Sequence, residues 1–184
     1  VTVNWGDGTP NSVYDTSADL LNISHSFLDN GTYDVSVTAS DQQGQANSVE
    51  VDGFQVTVGN VAPDLSLFGD GTAVQSEVYT LTLGGVVDPG ADTVSEYRID
   101  WGDGTGVQSI AAASLPANRQ ISHAYTATGA KTIGVSLVDE DGTHASVTTK
   151  AITVSAPAEA LTLDAGADRT VNEGSFVLQT INFN

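Results

Sequence analysis

The chain has 184 residues, of which 23 are Asp or Glu and 5 are Lys or Arg, giving a formal net charge of -18 at pH 7. Such a surface repels nucleic acid and anionic lipid, so the composition excludes nucleic-acid binding. Cysteine is absent, which excludes a disulfide framework and a thiolate metal site. The hydrophobic fraction of 40% predicts folded domains, and no apolar run is long enough for membrane insertion by this segment.

A motif near the start of the chain returns in its second half. The sequence Val-Asn-Trp-Gly-Asp-Gly-Thr at residues 3–9 reappears as Ile-Asp-Trp-Gly-Asp-Gly-Thr at residues 99–105. Ser-His-Ser-Phe at residues 24–27 reappears as Ser-His-Ala-Tyr at residues 122–125. The same order of motifs at nearly constant spacing predicts two tandem repeats of one structural unit.

Alternating apolar and polar residues, bounded by Gly, Asn, Asp and Pro, predict β-strands throughout and no sustained helix. The complete copy of the repeat contains seven predicted strands, the number expected of an immunoglobulin-like sandwich. These strands span residues 65–68, 79–83, 96–101, 107–110, 119–125, 132–138 and 144–154.

The Trp-Gly-Asp-Gly-Thr turn, the Ser-His-x-aromatic motif and the acidic turn at residues 139–142 together resemble the PKD (polycystic kidney disease) repeat. The resemblance covers residues 1–58 and 62–154. It implies an all-β fold of tandem seven-stranded immunoglobulin-like sandwiches. Repeats of this family are common in surface layers, adhesins and secreted hydrolases, so the resemblance also implies an extracellular or cell-surface location.

The repeats predict three regions. Residues 1–60 form a PKD-like domain without its first two strands, residues 61–156 form a complete domain, and residues 157–184 supply the first two strands of a further domain. Two explanations remain open. In the first, the segment belongs to a longer array of repeats, and both of its ends fall in the same exposed loop of neighbouring repeats. In the second, its last strands complete the open sandwich of the next copy, which gives a head-to-tail filament.

The two repeated motifs are interpreted as structural rather than catalytic. The residues concerned are Trp5, Asp7, His25, Trp101, Asp103 and His123. Each repeated His follows a Ser, but neighbouring strand residues point to opposite faces and cannot pair as nucleophile and base. The resemblance assigns these histidines to the scaffold, with a ring nitrogen bonded to backbone near the tryptophan turn. His144 is predicted to be a solvated hairpin residue.

Acidic residues concentrate in turns, where several oxygen ligands could meet a calcium ion. The candidate metal ligands are Asp88, Asp92, Asp139, Glu140 and Asp141. Some members of the PKD family bind calcium, so calcium is the one expected cofactor. The alternative interpretation is that these residues only shape turns and solvate the surface.

The sequence therefore predicts a non-catalytic structural or adhesive module that forms a rod or filament in a cell-surface protein. Its expected partners are neighbouring copies or repeats of itself, and possible further partners are a polysaccharide or a surface protein. The alternative function is an accessory carbohydrate- or protein-binding module of a secreted hydrolase, for which an exposed row of aromatic residues would be the sign. Scattered placement of the aromatic residues in alternating strands favours the structural role.

Overall fold

The computed structural model describes residues 1–15, 22–40, 48–159, 163–164, 173 and 182–183. The predicted strands at residues 157–184 therefore lie largely outside the described residues. Within the described part of the chain, no helix is long and apolar enough to cross a membrane. We call residues 1–60 the first repeat and residues 61–156 the second repeat.

The first repeat contains one antiparallel sheet in the order β2-β1-β3-β4. Its strands are β1 (Thr2–Asn4), β2 (Ser12–Val13), β3 (Gly31–Ser40) and β4 (Ser48–Val58). One face of this sheet carries a small core of three buried side chains, namely Val3, Trp5 and Val35. Half-buried apolar residues pack around them, including Tyr14, Ile23 and Phe27.

The second repeat is a sandwich of two sheets, with strand orders β10-β7-β5 and β6-β12-β11-β8-β9. Its first four strands are β5 (Asp64–Phe68), β6 (Thr72–Val74), β7 (Val78–Val87) and β8 (Glu96–Asp100). Then come β9 (Val107–Ala111), a single 3-10 turn (Ala112–Ser114), β10 (Gln120–Ala124), β11 (Gly129–Val138) and β12 (Thr143–Ser155). The all-β sandwich class predicted from the sequence is confirmed.

All seven predicted strands of the second repeat are present, within a few residues of their predicted ends. The structure adds an eighth strand, β6, whose three residues are too few to show an alternation pattern. This strand pairs in parallel with the end of β12, with Thr153 opposite Thr72 and Ser155 opposite Val74. Most other ladders are antiparallel between strands that are close in sequence.

The core of the second repeat lies between its two sheets. Because side chains alternate across a strand, every second residue of β7, β8 and β11 points inward. Fully buried side chains include Leu81, Ile99, Trp101, Tyr125 and Ile133. Two further short strands, β13 (Leu163–Asp164) and β14 (Asn182–Phe183), pair antiparallel with Leu163 opposite Phe183.

Candidate cation site at the junction of the repeats

The tryptophan turn has the same hydrogen bonds in both repeats. In the first repeat, Oδ1 of Asp7 accepts bonds from the backbone N–H and the hydroxyl of Thr9, at 3.0 and 2.6 Å. In the second, Oδ1 of Asp103 accepts the same two bonds from Thr105, at 3.1 and 2.6 Å. The aspartate therefore closes its own turn, as Asp does in many tight turns.

Glycine is required at the first position after each tryptophan. Gly6 and Gly102 have φ values of 77° and 72°, in the left-handed region that disfavours side chains. A Cβ atom at Gly102 would also collide with the carbonyl oxygen of Thr132 on the neighbouring strand, and one at Gly6 would collide with that of Asp34. The turn is thus pressed directly against the sheet.

The repeated histidine contacts the same aspartate. Nε2 of His25 lies 2.6 Å from Oδ2 of Asp7, and Nε2 of His123 lies 2.7 Å from Oδ2 of Asp103. Each imidazole also stacks on the indole of its repeat: the ring centroids are 4.5 Å apart for His25 and Trp5, and 4.7 Å apart in the second pair. The imidazole contact is therefore with a carboxylate, whereas the family resemblance implied a bond to backbone.

These contacts hold both aspartates ionised. Hydrogen bonds from Thr9 and His25 lower the pKa of Asp7 to about 2. At Asp103, burial opposes ionisation, but the bonds from Thr105 and His123 outweigh it and lower the pKa to about 2. In each Asp–His–Trp set the carboxylate, imidazole and indole all contact one another or the turn. These contacts explain the repeated residues by a structural role.

The two repeats touch at one end of each sheet. The backbone N–H of Ala91 donates a 2.7 Å hydrogen bond to the carbonyl of Leu28. The side-chain amide of Asn30 donates a 2.8 Å bond to Oδ1 of Asp141, in the hairpin between β11 and β12. A cavity of about 150 Å³ lies beside these contacts, lined by apolar and polar residues of both repeats, among them Phe27 and Pro89. These contacts define what we call the junction.

Three carboxylates converge at the junction. Oxygen atoms of Asp29, Asp92 and Asp141 all lie within 4.8 Å of one another. Asp29 comes from the first repeat, and the other two come from different loops of the second repeat. Three like charges at this distance repel one another unless protons or a cation neutralise them.

The electrostatics of Asp92 reflect this crowding. Burial raises its pKa, and the negative charges of Asp88, Asp141, Asp29 and Glu140 raise it further. Oδ1 of Asp92 and Oδ2 of Asp88 are both inaccessible to solvent and have no hydrogen-bond partner among the described residues. These buried oxygens are free acceptors, and free buried acceptors are costly unless something binds them.

The structure brings together only part of the predicted ligand set. Asp92 and Asp141 belong to the cluster, with Asp88 close enough to influence Asp92 electrostatically. Oε2 of Glu140 instead accepts a 2.8 Å hydrogen bond from the backbone N–H of Thr93. Asp29 was not predicted, because its proximity to Asp141 depends on the junction.

Asp139 is a structural residue of the hairpin. Its Oδ1 accepts bonds from the backbone N–H groups of Asp141 and Gly142, at 3.0 and 3.1 Å. Its Oδ2 lies 2.7 Å from Nε2 of His144. The prediction that His144 is solvated was wrong: only 14% of its side chain is exposed, because it packs over the buried carboxylate of Asp139.

The aromatic residues do not form an exposed row in the described part of the chain. Tyr79, Tyr97 and Tyr125 are buried in the second repeat. Phe54 and Phe68 are more than half exposed, but they lie on β4 of the first repeat and β5 of the second. This arrangement lacks the platform on which a sugar chain would stack.

Comparison with known proteins finds a family-model match for the first repeat. Residues 1–58 match the family model of the PKD domain. No curated protein sequence matches the chain. The chain is similar in structure to carbohydrate-binding modules of the β-sandwich superfamily, with 20% identity, a TM-score of 0.43, and coverage of 54% of this chain and 36% of that one. It is also similar to fibronectin(III)-like modules of Clostridium thermocellum CbhA, with 20% identity, a TM-score of 0.39, and coverage of 83% and 76%.

Proposed function

Because residues 1–58 are a PKD-type immunoglobulin-like repeat, we propose that this chain is a non-catalytic, rod-forming module of an extracellular or cell-surface protein. The observation that carries the proposal is the junction, where the Ala91–Leu28 and Asn30–Asp141 hydrogen bonds join two repeats end to end. Direct contacts of this kind restrict bending between neighbouring repeats. A stack of such repeats holds whatever it carries at a distance from its anchor.

A non-catalytic role agrees with how the reactive side chains are used. His25 and His123 are each held between an indole and a carboxylate, and His144 packs against Asp139. Ser122 is exposed on one face of β10, whereas its neighbour His123 points to the other face. No described histidine therefore meets a nucleophile in a cleft, which general acid–base chemistry would need.

The same proposal includes calcium as a ligand of the junction. Asp29, Asp92 and Asp141 would supply carboxylate oxygens, the ligand type that calcium prefers, and the free oxygen of Asp88 lies in the same charged region. An ion held by both repeats binds only when they are docked. It therefore stabilises the docked arrangement by mass action and stiffens the rod.

The calcium proposal is tested by titrating the chain with Ca²⁺ and, separately, Mg²⁺ in a calorimeter after chelation. We expect saturable Ca²⁺ binding that is weakened by Asp29→Asn or Asp92→Asn. Glu77→Gln, which removes an exposed acid of the second repeat away from the junction, is the control and should bind as the parent does. Unchanged binding in both junction variants would remove calcium from this site.

The rod proposal is tested separately, through the distance between the repeats. The chain has no cysteine, so Val13→Cys and Val107→Cys place two spin labels specifically, at exposed sites on β2 and β9. We expect one narrow distance distribution with Ca²⁺ and a broader one after chelation. A broad distribution under both conditions would show that the repeats are not held in line.

The alternative, an accessory module that binds polysaccharide, has less support from the described residues. The exposed phenylalanines, Phe54 and Phe68, lie in different sheets. Their separation argues against a single stacking surface. Retention of the chain on insoluble polysaccharides, lost on Phe54→Ala or Phe68→Ala, would favour this function over the rod.

A further inference from the structure

Three consecutive residues of the first repeat supply the groups that bond to the second repeat. We call residues 28–30 the docking loop. The carbonyl of Leu28 and the side-chain amide of Asn30 each form one hydrogen bond across the junction, and Asp29 adds its carboxylate to the acidic cluster there. A loop that is already ordered loses less conformational entropy when it docks. The strength of the junction therefore depends on what holds this loop in place.

The side chain of Tyr33, the third residue of β3, holds the docking loop from within the first repeat. Its hydroxyl is shared between the carbonyl oxygens of Asp29 and Asn30, at distances of 2.9 and 3.0 Å. Its ring stacks on that of Phe27, with the centroids 4.7 Å apart and the planes within 17°. Phe27 directly precedes the loop and packs against the small core of the first repeat. The loop is thus fastened to its own repeat before it meets the next one.

The surface that receives the docking loop is held in the same way by the second repeat. It consists of residues 88–92 and the hairpin at residues 139–142. Oε2 of Glu140 accepts a 2.8 Å hydrogen bond from the backbone N–H of Thr93, which ties the end of the first segment to the hairpin. Oδ1 of Asp139 accepts bonds from two backbone N–H groups and closes the hairpin itself. Docking therefore joins two surfaces that are each preorganised.

The second repeat provides a matched segment for comparison at residues 126–128, at its end opposite the junction. Gly31 and Gly129 occupy the same position in the two repeats, since each pairs with the last strand of its repeat in the same register. The second repeat has different residues at the three positions whose side chains act in the docking loop, namely Ala127 for Asp29, Thr128 for Asn30 and Lys131 for Tyr33. This segment therefore lacks the carboxylate, the amide donor and the aromatic anchor.

We propose that the docking loop, held by Tyr33, determines which kind of repeat can precede the second repeat. A repeat with Asp, Asn and Tyr at the three positions docks, whereas one with Ala, Thr and Lys does not. The inference rests on the proposed function and deepens it by naming the partner of the acidic surface. The selection is strong because the wrong repeat leaves the groups of that surface without partners. The loop of each repeat thereby fixes the order of repeats along the rod.

In this proposal Tyr33 is a positioning residue, because it acts on the junction only through the docking loop. Replacing it by lysine gives the first repeat the residue of the second and leaves every proposed cation ligand in place. In the chain with spin labels at residues 13 and 107, we expect Tyr33→Lys to give a broad distance distribution with Ca²⁺ where the parent gives a narrow one. The reverse change in the other repeat, Lys131→Tyr, is the control and should leave the distance distribution as in the parent.

A milder variant separates the hydroxyl from the ring. Tyr33→Phe keeps the stack on Phe27 and removes only the shared hydrogen bond. We expect calorimetry to show Ca²⁺ binding that is about five-fold weaker, the equivalent of one ordinary hydrogen bond. Tyr14→Phe is the matched control, because it removes the hydroxyl of a half-buried tyrosine beside Val1, at the other end of the same sheet. Near-ultraviolet circular dichroism of the tryptophans should be the same in Tyr33→Phe and the parent, so that the loss is assigned to the loop.

Two results would overturn the inference while the rod function stands. One is the parent's narrow distance distribution in Tyr33→Lys. The other is a loss of Ca²⁺ affinity in Tyr14→Phe that equals the loss in Tyr33→Phe. A broad distribution in the parent chain under both conditions would instead remove the rod proposal, and this inference with it.

Discussion

Trp5 and Trp101 begin the same turn, but only Trp101 lies in a core that two described sheets enclose. The local geometry is equal: the imidazole and indole planes differ by 8° in the first repeat and 9° in the second. The surroundings are not equal: Tyr79 and Tyr125 both pack against Trp101, whereas among the described residues only Phe27 takes a matching place beside Trp5.

The comparison separates two sources of stability. The Asp–His–Trp set forms in the first repeat, where the described residues make one sheet, although its aspartate and histidine lie 18 residues apart. The large apolar core does need a second sheet, since its buried residues come from strands of both sheets. The turn is thus a local unit, and the sandwich around it contributes a separate and larger share of the stability.

The largest expected effect comes from truncating the tryptophans. Trp101→Ala should lower the free energy of unfolding of the second repeat by about 3–5 kcal/mol, because it leaves a large cavity in a closed core. Trp5→Ala should cost less, since its surroundings can collapse into the space. Calorimetric transitions of the two variants measure the difference, and equal losses would contradict the comparison.

Glycine substitutions should affect the two repeats equally, because the turn is local. Gly102→Ala and Gly6→Ala should each cost about 2–4 kcal/mol, from a left-handed φ and a collision with the neighbouring strand. Gly104→Ala is the matched control: its φ is 80°, but a Cβ there meets no atom, so about 1 kcal/mol is expected. Urea denaturation monitored by tryptophan fluorescence measures these losses.

Acid should lower the stability of the fold by a smaller amount, and both repeats should show this loss. The pKa values of Asp7 and Asp103 fall from an ordinary 3.8 to about 2 on folding. The unfolded chain therefore binds more protons between these values, and stability present above pH 4 is lost as the pH falls towards 2. Asp7→Asn and Asp103→Asn should each flatten this dependence in thermal melts from pH 5 to 2. An unchanged slope would contradict the shared role.

The smallest effect concerns a hydroxyl present in only one repeat. The buried hydroxyl of Tyr125 donates a 3.3 Å bond to the carbonyl of Trp101, and the first repeat has Phe27 at this position. Tyr125→Phe should cost about 1 kcal/mol, as for a typical neutral hydrogen bond. Phe27→Tyr should not give a matching gain, because its ring is only half-buried. Denaturation midpoints of the two variants test this asymmetry.

The strands of the second repeat could be predicted because apolar and polar residues alternate along much of their length, as at Val135 and Leu137 on β11. The strand β6 could not, since a parallel partner far along the chain holds it in place. The partner of His25 was also missed, although Asp7 was recognised as part of the same motif. This contact could not be predicted, because tertiary packing decides which turn lies against which strand.

The candidate cation site shows the same limit more clearly. The acidic loops containing Asp92 and Asp141 were predicted from composition, and they do meet. Asp29 joins them only because the junction places it there, which no spacing in the sequence reveals. Asp139 looked like a ligand beside Asp141, but it is a cap of its own hairpin, since its side chain turns inward to His144.

The parallel pairing of β6 with the end of β12 has a mechanical consequence. The polypeptide chain enters the second repeat at the end that faces the junction, and it leaves at the opposite end after Ser155. In the proposed rod, tension along the chain would therefore pull β6 and β12 in opposite directions along their own axes. The bonds between them, including Gln75 N–H to the carbonyl of Ser155 at 2.9 Å and Thr153 N–H to that of Gly71 at 3.0 Å, bear this shear together and must break together.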